Sequence, residues 1–134
     1  MESHNARAKA RADAPFARAT RLSRYVKRLL EAEPSLKLDA DAGQPFSAAE
    51  MRAFLRAQPA ADDEALAQAL RALRKRVMLR LIARDLDGLA DLAEVTATTT
   101  ALAEIAIAHA LAGHDERLAE RHGRPLGAAS GRAQ

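Results

Sequence analysis

Apolar residues recur along this chain at helical spacing. Leu22, Val26 and Leu29 fall at i, i+4 and i+7, with Tyr25 and Leu30 beside them, and predict an amphipathic helix over about Pro15–Ala32. Pro15 suits a first turn, where a missing N–H costs little, and Pro34 marks the exit. The next segment, Ser35–Pro45, carries the turn formers Asp39, Asp41, Gly43 and Pro45 and reads as a loop. Phe46-Ser47-Ala48-Ala49-Glu50-Met51 then has the form of a capping box with a hydrophobic staple, so a short helix starts there and stops before Pro59.

The third and longest helix opens at Asp62 as N-cap, with Asp63 and Glu64 in its first turn, where the helix dipole favours acids. Leu66, Leu70, Leu73, Val77 and Leu81 make one stripe. Met78, Ile82 and Leu86 make an adjacent one, and Leu79 adds a third direction. That widening predicts contact with more than one neighbour. Gly88 is expected to end or kink the helix. Asp91 caps a fourth, running to about Arg121, with Leu92, Val95, Thr99, Leu102, Ala106 and His109 on one face, Ile105 beside them, and Ile107, Leu111 and Leu118 on a neighbouring face. The threonines at 96 and 98–100 are poor helix formers and the weakest part of this reading. No strand pattern and no internal repeat appears. The fold class is all-α, about four helices in a bundle-like arrangement.

Composition agrees. Apolar residues are 49% of the chain but aromatics only 3%, so the core must come from Leu, Ile, Val and Met, with alanine allowing close helix approach. The absence of cysteine excludes disulfides and thiolate chemistry and suits a reducing, cytoplasmic setting. No unbroken apolar run approaches the roughly 20 residues of a membrane span, and no membrane role is expected. Charge is uneven. Residues 1–28 hold eight Lys/Arg against Glu2 and Asp13, for +6, and the remainder carries −3. Residues 1–14 read as a basic, disordered arm, 15–122 as the helical region, and 123–134, with Gly123, Pro125, Gly127 and Gly131, as a flexible tail.

Candidate chemistry is sparse. Asp85 and Asp87 at i, i+2 would share a face on a strand, but on a helix they diverge by about 200°; they read as solvated acids, with Asp87 placed to pair with Arg84. Asp39 and Asp41 repeat the spacing in a loop without a glycine-rich partner. His109, His114 and His122 do not share a helical face in the manner of a metal-binding pair. Arg76, Arg80 and Arg84 form an i, i+4, i+8 basic stripe, read as a charged outer face or as partners for a missing neighbour. Near-absence of aromatic rings argues against single-stranded nucleic acid as a partner. No catalytic, cofactor-binding or metal-binding residue is assigned.

One stretch resembles a known family. Arg74-Lys75-Arg76-Val77-Met78-Leu79-Arg80-Leu81-Ile82-Ala83-Arg84-Asp85-Leu86-Asp87-Gly88-Leu89-Ala90-Asp91-Leu92-Ala93-Glu94-Val95 is similar to a run in the helical region before the first catalytic domain of the bifunctional glutamine synthetase adenylyltransferase/adenylyl-removing enzymes. Thr100–Glu104, Ala119–Pro125 and Ser23–Leu30 extend the similarity to about residues 18–127. The resemblance implies enzymes with two nucleotidyltransferase domains, which attach AMP from ATP, with magnesium, to a tyrosine of glutamine synthetase and remove it by phosphorolysis. It implies control by the PII signalling protein. The family's glycine-rich and paired-aspartate signature has no match here, and Asp85 and Asp87 do not supply it. The implied role is a noncatalytic N-terminal segment, an incomplete domain lacking the nucleotidyltransferase sheet. A free-standing helical interaction module, or a basic nucleic-acid binder using residues 1–28, are the alternatives.

Overall fold

The computed structural model describes residues 16–37, 41–59, 61–128 and 131–132. Among them run five α-helices: α1 (Ala17–Leu22), α2 (Arg24–Ala32), α3 (Ala48–Arg56), α4 (Asp63–Leu86) and α5 (Leu92–His122), with a 3-10 turn at Pro34–Lys37. No strand is present among the described residues, so the all-α reading holds. The expected basic arm lies outside them. Beyond α5, the Gly127 N–H donates to the Arg132 carbonyl and the Gly131 N–H to the Gly127 carbonyl, each at 2.9 Å.

Where one helix was expected over Pro15–Ala32, there are two. Ser23 is extended (φ −113°, ψ 115°); its N–H closes α1 on the Ala19 carbonyl at 2.8 Å, and its Oγ accepts from the Val26 N–H at 3.2 Å to cap α2. A serine offers the backbone this alternative partner, and here it breaks the helix. Leu22 therefore leaves the line of Val26 and Leu29 and is exposed, while Phe16 and Ala19 are buried in its stead.

The other starts and stops fall where the cap residues place them. Ser47 and Glu50 form the reciprocal capping box of α3, with the staple residue Phe46 packed against the core cluster that contains Met51. Asp62 accepts from the Ala65 N–H at 2.8 Å and Asp91 from the Glu94 N–H at 2.8 Å. Gly88 takes φ 71°, the Gly88 N–H bonds the Asp85 carbonyl and the Leu89 N–H bonds the Arg84 carbonyl. This is the paired hydrogen-bond pattern that ends a helix through a left-handed residue.

Helix α4 is the spine, touching the other four helices. It runs antiparallel to α5: Arg84 at its C-terminal end reaches Glu94, and Asp63 at its start reaches Arg117. It also divides the core. Leu79 and Ala83, with Ile82 and Leu86, pack beside Phe16, Val26, Leu30 and Leu36 on one side. Ala69, Leu73 and Val77 pack with Met51, Leu55 and Ile105 on the other. Contact with more than one neighbour was read from the widening apolar face, and this is how it is realised.

The threonine segment is helical, but its inward face is turned from the one expected. Thr98 and Ile105 are buried and Ala101 and Leu102 pack beside them, whereas Leu92 is 80% exposed. By length and composition α5 could cross a membrane, a property that a search for unbroken apolar runs misses because threonines and single charges interrupt its alanine, leucine and isoleucine residues. Its apolar residues are shared between this core and open surface.

Gly88 has nothing within 4 Å of where a Cβ would stand. Gly88→Ala should therefore cost only the strain of a left-handed alanine, about 1–2 kcal/mol. A lower denaturant midpoint at unchanged slope is the expected reading.

Candidate functional site

The arginines at 80 and 84 point inward, and Arg76 is half-buried. Following α4 from Leu73 through Val77 to Arg80 and Arg84 gives i, i+4, i+7 and i+11, so the buried face ends in two cations, each only 6% exposed. This overturns the outer-face reading. The partners belong to the chain itself. The Arg80 Nη1 donates to both Glu50 oxygens at 3.0 and 3.2 Å, and its guanidinium lies 4.2 Å from the Phe46 ring centroid. The Arg76 guanidinium lies 5.1 Å from the Phe54 ring. The Nε of Arg80 has no partner among the described residues. The ring contact offsets part of that loss.

Arg84 is the most fully engaged. Its Nε and Nη2 donate to the two Glu94 oxygens at 2.7 and 3.0 Å, its Nη1 to the Ala42 carbonyl at 3.0 Å, and its Nη2 also to the Leu89 carbonyl at 3.1 Å. One side chain thus ties α4 to the loop before α3, to its own C-terminal turn and to the start of α5. Asp87, expected to pair with Arg84, is instead the exposed C-cap of α4. The hydrogen bond from Arg84 holds the Glu94 carboxyl below the usual carboxylate range, and the same bond holds Arg84 above its ordinary value. These groups are consumed by structure and leave no site for chemistry between them.

The remaining candidates scatter. Asp85 is exposed at the end of α4. Asp41 accepts from the Gly43 N–H at 2.9 Å, a local turn, and Asp39 lies outside the described residues. His114 Nδ1 sits 3.4 Å from Asp63, His122 is exposed at the end of α5, and His109 lines a groove of about 420 Å³ between α3 and α5 with Leu55, Ile105, Arg52, Arg56 and Glu104. No group of three metal-ligating side chains occurs among the described residues.

Two surfaces remain open. The far side of α5 presents Ile107, Leu111 and Leu118, 61%, 64% and 56% exposed. They are spaced i, i+4, i+11, so one helical line carries them. A separate groove of about 560 Å³ between α2 and α4 is lined by Arg24, Arg28, Arg71, Arg74 and Lys75 around Tyr25 and Leu29. Sequence reading found the first surface as a neighbouring apolar face. It missed the second, because its two basic rows lie more than 40 residues apart and meet only in the fold.

A helical unit with an internally neutralised cationic spine and a wet apolar face has the character of a supporting or docking element. Comparison with known proteins places it further. The family model described as Glutamate-ammonia ligase adenylyltransferase matches residues 14–134. The chain is 45% identical over 128 residues to a bifunctional glutamine synthetase adenylyltransferase/adenylyl-removing enzyme of Chromobacterium violaceum, covering 93% of this chain and 14% of that protein. Proteins of the same description from Nitrosomonas eutropha and Nitrosomonas europaea are 50% and 53% identical over 93 and 94 residues, in each case 66% of this chain and 10% of the relative. The chain belongs to the glutamate-ammonia ligase adenylyltransferase family and spans 14% or less of these relatives' length. No solved structure matches it significantly.

Arg84 and Glu94 make an acid-sensitive contribution to stability. Because Glu94 titrates lower folded than unfolded, the contribution is full above the ordinary carboxylate range and is lost as pH falls through the lowered value. Glu94→Gln strands a buried guanidinium and should cost about 3 kcal/mol at neutral pH, with a flatter acid limb in melting temperature against pH. An unchanged acid limb would show that the pair does not govern it.

Proposed function

We propose that this helical unit is a noncatalytic N-terminal segment of an enzyme that adenylylates and deadenylylates a tyrosine of glutamine synthetase, and that it supports a nucleotidyltransferase domain. The observation that carries the reading is the family match over residues 14–134, joined to a five-helix unit whose buried arginines, Arg80 and Arg84, are engaged by its own carboxylates. ATP and magnesium belong to the catalytic domains of such an enzyme, glutamine synthetase is its substrate, the PII protein its regulator and the cytoplasm its setting. In this reading the line Ile107, Leu111 and Leu118 is the docking face for the catalytic domain. Large apolar side chains left in water along one helix face mark an interaction surface. The same line suits a free-standing interaction module, so the occupant distinguishes the two readings.

The test uses the 134-residue chain and a separately produced nucleotidyltransferase domain of the Chromobacterium violaceum relative. The chain alone should release no ADP from adenylylated glutamine synthetase and phosphate, and should bind a dye that reports exposed apolar surface. Adding the domain should form a complex and quench the dye. Ile107→Glu with Leu111→Glu should weaken the complex at least about tenfold, since two apolar anchors are lost, without altering the helical signal. Turnover by the chain alone would end the noncatalytic reading, and failure to form any complex would end the docking reading.

A further inference from the structure

The groove between α2 and α4 has no role in the core or in the docking face. Arg24 and Arg28 enter from α2 at i, i+4, and Arg71, Arg74 and Lys75 enter from α4 at i, i+3, i+4, so both rows face one cleft. Two of the five cations are neutralised locally: Lys75 by Glu33, and Arg71 by Glu64 at 2.9 Å. Arg24, Arg28 and Arg74 make no hydrogen bond or ion pair among the described residues. Like charges that line one groove repel, and nothing in the packing requires them, because their side chains are exposed. A multivalent anion between the rows removes the repulsion.

The shape and chemistry narrow the anion. Four of the five cations are arginines, whose planar forks match phosphate oxygens in pairs. The floor is apolar, made by buried Leu29 and the half-exposed Tyr25 ring, and the volume, about 560 Å³, lies in the range of small-molecule sites. A bare phosphate would leave that floor unused, and a long polyanion would meet the Glu33 carboxylate that lines the groove. We infer that the groove binds an organic polyphosphate of the nucleoside di- or triphosphate class, with the phosphates on Arg24, Arg28 and Arg74 and the base against Tyr25. The inference does not depend on the docking face of α5.

The experiment is calorimetric titration of the 134-residue chain with ATP at about 50 mM and 200 mM salt, with inorganic tripolyphosphate and a short DNA duplex in parallel. Saturable one-site binding of ATP is expected. Arg28→Gln with Arg74→Gln should weaken it at least about tenfold, as loss of charged hydrogen bonds does, with an unchanged circular dichroism spectrum. Tyr25→Ala should weaken ATP and leave tripolyphosphate unaffected. Ile107→Glu should change neither, which keeps this result separate from that for the docking face. Absence of saturable ATP binding at low salt would overturn the inference, as would a double variant that binds like the parent. Duplex DNA that displaces ATP with a steep salt dependence would overturn it too, and would assign the groove to nucleic acid.

Discussion

Arg84 is the residue on which the arrangement of this chain turns. A guanidinium only 6% exposed needs every donor satisfied, and the partners come from three separate places: Glu94 at the start of α5, the Ala42 carbonyl before α3 and the Leu89 carbonyl after α4. Burying a charge costs several kcal/mol, and losing one partner of such a pair costs about 3–5 kcal/mol. The surface pair of Arg71 and Glu64, with side chains 59% and 69% exposed, contributes at most about 1 kcal/mol. The difference makes Arg84 a constraint on geometry. Gly88 turns the chain, and Glu94, three residues past the Asp91 cap, meets the guanidinium only if α5 starts at one angle.

That angle sets the rest of α5. Glu94, Thr98, Ala101 and Ile105 stand at i, i+4, i+7 and i+11, so the face that begins with the ion pair is the face that packs on α3 and α4. Ile107, Leu111 and Leu118 are thereby turned outward, though they are more hydrophobic than much of what is buried. The exposed apolar face is a consequence of the lock: a helix apolar on more than one side must present one of them to water or to a partner. Glu50 shows the same economy, since its carboxylate closes the α3 capping box and also receives Arg80.

The stretch Arg74–Val95, which carries the family resemblance, contains Arg80, Arg84, Gly88, Asp91 and Glu94. In the structure these residues hold helices together and turn the chain. The basic groove takes only Arg74 and Lys75 from the start of this stretch, and its arginines are exposed side chains that the core does not need. Structure and surface chemistry are thus divided between different arginines of the same helix.

Local chemistry alone determined the helical class, the caps at Ser47, Asp62 and Asp91, and the turn at Gly88, because a cap or a left-handed glycine is satisfied by neighbours a few residues away. The double-sided packing of α4 was legible for the same reason, as a widening of its apolar face. Tertiary structure decided what depended on distant partners. The break at Ser23 is as local as the other caps but was hidden by apolar spacing that runs through it, and packing then gave Phe16 and Ala19 the core place that pattern had given to Leu22. The arginine stripe was charged and so read as solvated, yet Glu50 and Glu94, 30 and 10 residues away, made burial possible. A hydrophobic pattern cannot show a cation that is buried because its anion arrives from another helix; only the packed chain brings the two together.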